Sequence, residues 1–207
     1  MVLWNRVITM KKTKPLVFPY PKKKYTRTNE LLEEGYSYYM INRMEAEGMI
    51  RRINGHTYEN LSYVGDDHDF LYVSGYVNEG VICLMSAAVY HGLSTFRPNR
   101  IETAIRQKSR VTTLPSWPKI ALHYFSKQRY ELGITKVECE GGSFMIYDKE
   151  KTVCDMITYR NKYGLEDSLD VLRHYLSKED RDINRLVSYA KKLRSYHILS
   201  KYLEVLL

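Results

Sequence analysis

The chain has 207 residues, of which 44% are hydrophobic and 13% aromatic, and its formal net charge is +8. This length suits one large domain or two small ones with a packed core, and the hydrophobic fraction excludes a disordered chain. There is no apolar run of about 18 residues to span a membrane, and the first residues lack a signal-peptide pattern. The three cysteines are far apart, which argues against a disulfide framework and predicts a cytoplasmic protein.

The positive charge is concentrated in the first two thirds of the chain. Residues 1–60 hold 11 Lys and Arg against 6 Asp and Glu, and residues 61–130 hold 8 against 5. Residues 131–207 hold 13 of each kind. Such asymmetry favours a polyanionic partner, most commonly nucleic acid, although solubility alone is an alternative explanation.

Residues 1–25 are predicted to form a basic arm. Pro15, Pro19 and Pro21 exclude a continuous helix over its second half. Residues 2–12 could form a short helix of their own, and Met10 is an alternative start of the chain.

Residues 26–63 are predicted to form a winged helix-turn-helix domain. Thr28 is a suitable N-cap for a short helix that ends at Gly35, and Ser37 is a suitable N-cap for a second helix that ends at Gly48. The following residues predict two strands joined by the hairpin dipeptide Asn54-Gly55.

Residues 64–207 are predicted to form a second domain. An apolar helix is expected over residues 81–90, and a small mixed or antiparallel sheet over residues 95–148. From residue 149 the pattern is helical, which predicts a C-terminal helical bundle and an α+β fold overall. The clearest helical spacing is that of four leucines: Leu165, Leu169, Leu172 and Leu176.

The winged helix-turn-helix predicts binding to double-stranded DNA. A helix fits the major groove and reads base edges, where Asn can bind adenine and Arg can bind guanine. The candidate residues on the second helix are Ser37, Tyr38, Tyr39, Asn42 and Arg43. Candidate phosphate contacts are Arg51, Arg52 and His56 on the hairpin, and Lys22, Lys23, Lys24 and Arg27 before the first helix.

Two features weaken this interpretation. A helical pair with a solvated face would give the same pattern. A winged helix also normally has a further helix in front of these two, and here the proline-containing arm occupies that position. The alternative is a protein-interaction module whose winged helix does not bind DNA and whose aromatic helix face binds a partner.

No catalytic or metal site is predicted, and no cofactor is expected. A Gly-Ser turn before paired carboxylates would suggest nucleotidyl transfer, but only four residues separate Ser143 from Asp148. The six histidines show no metal-ligand spacing. Five cations lie on polar positions of the last helices, where either a solvated face or a second interaction surface is expected: Arg185, Lys191, Lys192, Arg194 and Lys201. All of these except Lys201 are proposed as an antitoxin surface.

Several stretches resemble the AbiEi-family antitoxins of the AbiE abortive-infection, or type IV, toxin–antitoxin systems. They are residues 33–37 and 44–52, the serine–alanine segment 81–93 that ends in His-Gly-Leu, the segment 147–155, and the dipeptides Tyr159-Arg160, Tyr189-Ala190 and Tyr202-Leu203. The segment Tyr147-Asp148-Lys149-Glu150-Lys151-Thr152-Val153-Cys154-Asp155 is the most specific of them. The resemblance covers about residues 25–207.

This resemblance implies an antitoxin that represses its own operon by binding inverted repeats at the promoter through the winged helix. It implies a C-terminal domain that counteracts an AbiEii toxin of nucleotidyltransferase type, without a need for direct contact between the two proteins. The segment 147–155 is interpreted as a strand-to-helix junction with Val153 and Met156 pointing inward. The oligomeric state stays open, because an inverted repeat can bind a dimer or two cooperating monomers.

Overall fold

The computed structural model describes residues 16–65, 68–96 and 98–206. These residues form two β-sheets and ten helices, which confirms the prediction of a mixed α+β fold. The possible helix over residues 2–12 and the alternative start at Met10 lie outside the described residues. No helix in the described part of the chain is long and apolar enough to cross a membrane.

The N-terminal unit contains five elements, of which the two helices and the two hairpin strands lie close to their predicted positions, whereas the first strand is not predicted by the sequence. They are β1 (Tyr25–Arg27), α1 (Thr28–Glu33), α2 (Tyr38–Ala46), β2 (Ile50–Arg52) and β3 (Thr57–Asn60). The strands form an antiparallel sheet in the order β1-β3-β2. β2 and β3 are the hairpin that the Asn54-Gly55 dipeptide predicts.

The ends of α1 and α2 follow local sequence signals, with one correction. The side chain of Ser37 caps α2 as predicted by accepting a hydrogen bond from the Met40 amide. The N-cap of α1 is Arg27 and not Thr28, whose amide is bonded to the His56 carbonyl. Gly35 and Gly48 end the two helices with φ of 82° and 72°, a left-handed conformation that side chains other than glycine rarely adopt.

The preceding segment is packed against this unit. Leu16, Phe18 and Tyr20 lie against the unit's apolar core, and the hydroxyl of Tyr36 donates to the Val17 carbonyl. The core itself consists of Leu31, Tyr36, Ile41, Met44, Ile50 and Tyr58. The part of the predicted arm that the structure describes therefore belongs to the folded unit, because its apolar residues find a surface to cover.

The predicted helix over residues 81–90 begins later than expected. Its first two residues form a strand, β4 (Val81–Ile82), and only α4 (Leu84–Tyr90) is helical. A short helix that the sequence does not predict, α3 (Leu71–Tyr76), precedes them. Val81 and Ile82 form a strand because they have sheet partners on both sides, which local propensity cannot indicate.

The second sheet is mixed, as predicted. Its other strands are β5 (Ile101–Arg106), β6 (Ile120–Phe125), β7 (Ile134–Cys139) and β8 (Gly142–Tyr147), in the order β6-β5-β4-β8-β7. β4 pairs in parallel with β8 and antiparallel with β5. The sheet therefore starts at residue 81, before the predicted boundary at residue 95.

Six helices complete the chain, five of them after the last strand. They are α5 (Lys127–Glu131), α6 (Lys149–Thr158), α7 (Arg160–Tyr163), α8 (Leu165–Leu176), α9 (Ile183–Lys192) and α10 (Tyr196–Leu206). α6 is the central one and packs against α4, α8, α9 and α10. Val153 and Met156 on α6 are fully buried, as predicted.

The predicted leucine stripe of α8 faces the core except at its first member. Leu172 is fully buried, Leu169 and Leu176 are partly buried and pack against the core, and Leu165 is 48% exposed. The fully buried residues of the helix are Ser168, Val171, Leu172 and Tyr175. The hydroxyl of Tyr175 donates to a buried carboxylate on α6, a contact that the spacing of the leucines cannot reveal.

Candidate nucleic-acid interface

One side of α2 is buried and the other is free to contact a ligand. Ile41 and Met44 are fully buried in the N-terminal core. Tyr38 and Tyr39 are 63% and 72% exposed. Asn42 and Arg43 are also exposed, so the predicted recognition residues lie on the solvent side of the helix.

The hairpin places one of its two arginines beside α2. Arg52 donates to Asn42 Oδ1 and to Glu45 Oε2, both at 3.3 Å, and its guanidinium lies 4.9 Å from the centre of the Tyr58 ring. Asn42 and Arg52, which are ten residues apart, are thus brought together on one surface. We call the surface formed by Tyr38, Tyr39, Asn42, Arg43 and Arg52 the α2 face.

Arg51 lies on the other side of the hairpin. Successive residues of a strand point to opposite faces, and Arg51 is bonded to Glu59, the residue opposite it on β3. The Glu59 carboxylate raises the pKa of the Arg51 guanidinium, with Tyr76 and Tyr25 nearby. Arg51 and Arg52, both candidate phosphate contacts, therefore lie on opposite sides of the hairpin.

The α2 face carries carboxylates among its cations. Arg43 is paired with Glu47 at 2.7 Å, and Glu47 raises the pKa of Arg43. Residues 16–60 hold seven Lys and Arg against six Asp and Glu, whereas residues 1–15 hold four Lys and Arg and no acid. Most of the net positive charge of the first sixty residues therefore lies in residues 1–15.

The three lysines before β1 have different environments. Lys22 is exposed, and Lys23 is paired with Glu30 at 2.7 Å. Lys24 is only 5% exposed, and its ammonium lies 4.2 Å from the centre of the Tyr72 ring. The prediction of Lys24 as a phosphate contact is therefore corrected, because its side chain packs inward against aromatic rings and is not exposed to a ligand.

Arg27 and His56 lie away from the α2 face. Both are exposed and line a groove between the start of α1, the hairpin turn and the segment after β5. The backbone joins them closely, since the amide of Thr28 donates to the carbonyl of His56 at 2.9 Å.

The cations predicted as an antitoxin surface have different neighbours. Arg185 turns toward α6, with its guanidinium 3.8 Å from Glu150 and 3.6 Å from Asp182. Lys191 lies 5.2 Å from the centre of the Tyr196 ring. Lys192 and Arg194 are exposed.

The segment 147–155 holds β8, α6 and neighbouring helices together. Asp148 caps α6 by accepting from the Lys151 amide and also accepts from the Tyr189 hydroxyl. Burial raises the pKa of Asp148. Glu150 accepts from the Tyr175 hydroxyl at 2.9 Å. These contacts support the interpretation of the segment as a strand-to-helix junction.

Three charged groups of this region form a buried network. Lys151 and Asp155 are fully buried and paired, and Arg129 binds the second oxygen of Asp155. The Lys151 ammonium also lies 3.9 Å from the centre of the Tyr147 ring. Sequence reasoning missed Arg129, because it lies on α5, a helix of five residues with no clear periodic signal.

Glu102 is a second buried carboxylate that the sequence does not single out. It accepts from the Met85 amide at 2.9 Å and from the Tyr163 hydroxyl, while Nε2 of His123 is 3.7 Å away. Burial by itself would raise the pKa of Glu102, but these neighbours lower it below its ordinary value. Glu102 thus accepts a hydrogen bond from a free backbone amide at the start of α4, where the N-cap residue Cys83 makes no side-chain hydrogen bond.

Within the described residues, no group of three or more His, Cys, Asp or Glu side chains could hold a metal ion. Cys83 and Cys154 are fully buried.

No model of a protein family matches this chain, and a search of curated proteins finds no match either.

Proposed function

We propose that this chain is a DNA-binding antitoxin that represses its own promoter, as the AbiEi resemblance implies. The observation that carries the proposal is the architecture of the N-terminal unit. In this unit α2 is followed by a β-hairpin, and the three strands lie in the order β1-β3-β2. This arrangement is the one expected of a winged helix-turn-helix, with α2 as recognition helix and β2–β3 as wing. The exposed α2 face supplies the side chains that such a helix needs.

The α2 face contains groups suited to both bases and phosphates. Asn42 can bind adenine and Arg43 can bind guanine in a bidentate manner. Arg52 lies at the edge of this face, next to Asn42, where a phosphate contact would fix the position of the helix. Tyr38 and Tyr39 offer hydroxyl groups and flat apolar rings.

The ion pairs on this face oppose DNA binding only weakly. Exposed pairs contribute about 0–1 kcal/mol, so an arginine can exchange a carboxylate for a phosphate at little cost. In the free protein the carboxylate holds the arginine in place. We infer that Arg52 changes partner from Glu45 to a phosphate when DNA binds.

The C-terminal part is proposed to counteract an AbiEii toxin, with or without direct contact. Its helical bundle around α6 and the segment 147–155 support this assignment through the resemblance. Arg185, Lys191, Lys192 and Arg194 stay proposed as an antitoxin surface. We propose no catalytic role, because Asp148 and Glu150 are engaged in capping α6 and in binding Tyr175. A cytoplasmic location fits these roles.

A protein-interaction module is the second candidate. The observation that favours it is the pairing of Arg43, Arg51 and Arg52 with carboxylates. In that case Tyr38 and Tyr39 would be anchors for a protein partner.

Fluorescence anisotropy with the chain's own upstream DNA separates the two candidates. The DNA-binding proposal predicts tighter binding to the native duplex than to a scrambled one, with a steep dependence on salt. Equal, weak binding to both duplexes would favour the protein-interaction module instead.

The neighbouring arginines of β2 provide a matched pair of variants. Arg52→Ala should weaken binding to both duplexes and reduce the salt slope by about 0.9, as expected for one lost phosphate contact. Arg51→Ala removes the same charge one residue away but on the other side of the hairpin, so its slope should change less. Equal effects of both variants would mean that general charge, and not the α2 face, drives binding.

A further inference from the structure

A polar groove separates the N-terminal unit from the second sheet. It has a volume of about 630 Å³ and lies between the start of α1, the hairpin turn and the segment after β5. The polar side chains that line it and enter this argument are Arg27, Asn29, Asn54, His56, Asn78 and Arg110. Four separate stretches of the chain, including the residues that follow α3, thus supply donors to one groove.

The described lining of the groove carries positive charge and no negative charge. Its residues include two arginines and a histidine but no Asp or Glu. This composition contrasts with the α2 face, where Arg43 and Arg52 each have a carboxylate partner. Among residues 16–65, 68–96 and 98–206, neither Arg27 nor Arg110 has a carboxylate within ion-pair distance of its guanidinium. Glu30 accepts from the backbone amide of Arg27, whose charge helps to lower the pKa of Glu30.

The donors of the groove are also available to a ligand. In the described part of the chain, the side chains of Asn29, Asn78 and Arg110 make no hydrogen bond within the protein. Together with the exposed Arg27, they line one groove with two guanidinium groups and two amides, all of which carry N–H donors.

The walls of the groove are fixed by hydrogen bonds. The Thr28 amide and hydroxyl both donate to the His56 carbonyl, and the His56 amide donates to Asn54 Oδ1 at 3.0 Å. Nδ2 of Asn54 donates to the Gly75 carbonyl of α3 at 3.4 Å. The hairpin turn is thus joined to both α1 and α3, which places Arg27 and His56 in a defined position.

We propose that this groove binds the phosphate group of a nucleotide. Arginine binds phosphate in a bidentate manner, and amide donors can bind its remaining oxygens. The volume exceeds that of a single phosphate, so the groove has room for further atoms of a nucleotide. Two sources are compatible with this chemistry: a free mononucleotide, or a backbone phosphate of DNA bound at the α2 face. Only the second source rests on the proposed function.

The test is a titration of the ¹⁵N-labelled full chain with inorganic phosphate and with a deoxynucleoside monophosphate, at an ionic strength held constant with sodium chloride. We expect saturable amide shifts in Gly55, His56 and Arg110. Arg110→Gln should raise the Kd for phosphate about tenfold, because one charge-assisted contact is lost. Lys108→Gln is the matched control, since Lys108 is an exposed cation of the same segment but is not part of the groove lining.

The same two variants identify the source of the phosphate. If Arg110→Gln also weakens binding to the duplex while Lys108→Gln does not, the ligand is a DNA backbone phosphate. If duplex binding is unchanged and the monophosphate binds more tightly than phosphate, the ligand is a free nucleotide.

Shifts that are absent, unsaturable or equal in Arg110→Gln and the unaltered chain would overturn the groove as a phosphate site. This result is distinguishable from failure of the proposed function, which depends on preference for the native duplex and on Arg52.

Discussion

The α2 face and the network around Asp155 use the same kinds of residue in opposite ways. On the α2 face, arginines are paired with carboxylates in contact with water, and each pair can open. Around Asp155, Lys151 and Arg129 are paired with a carboxylate that no water reaches. Solvent therefore decides whether an ion pair is replaceable or structural. A charge in water can change partners, whereas a buried charge that loses its partner has no alternative.

The strongest test of this contrast compares the removal of a buried carboxylate with the removal of an exposed one. Asp155→Ala leaves the buried Lys151 and the largely buried Arg129 without a counter-charge, and we expect it to destabilise the chain by about 3–5 kcal/mol. Asp170→Ala, which removes the exposed partner of Arg173, should cost at most about 0.5 kcal/mol. Urea unfolding followed by circular dichroism measures both. Similar losses for the two variants would contradict the distinction.

Glu102 extends the comparison to pH. Its pKa is lowered in the folded state, so its contribution to stability is present above the unfolded pKa of about 4.3 and is lost as the pH falls through the folded value. Glu102→Gln should cost about 1–2 kcal/mol at pH 7, and the difference from the unaltered chain should shrink on acidification. Unfolding curves between pH 3 and pH 7 measure this effect. Glu138→Gln provides the control, since the side chain of Glu138 is 69% exposed. A loss of stability in Glu102→Gln that does not vary with pH would refute the role of the Glu102 charge.

The smallest expected effect concerns an exposed pair. Glu45→Gln removes the carboxylate that binds Arg52 and a negative charge next to the α2 face. We expect duplex binding to become about twofold tighter, because the phosphate no longer competes with Glu45. Anisotropy at low salt measures the change, and Asp170→Asn serves as the control far from this face. Weaker binding by Glu45→Gln would mean that Glu45 orients Arg52 in the bound state.

Part of the site could be predicted because its signals are local. The exposed positions of Tyr38, Tyr39 and Asn42 follow from helical spacing once Ser37 fixes the start of α2. The burial of Lys24 could not be predicted, since it depends on Tyr72, which lies 48 residues later in the sequence and whose ring is 4.2 Å from the lysine ammonium. The separation of Arg51 from Arg52 could have been predicted, because the side chains of neighbouring residues in a strand point to opposite faces.

The sequence by itself determined the elements whose signals lie within a few residues. Gly35 and Gly48 end helices, Asn54-Gly55 turns a hairpin, and Asp148 starts α6, because backbone conformation and capping bonds are decided by neighbours in the chain. Only the tertiary structure decided that Val81–Ile82 is a strand and that Arg129 meets Asp155. It alone brought Arg110 to the groove beside Arg27. These outcomes depend on contacts between distant residues, and their energies arise from burial and pairing that no local pattern records.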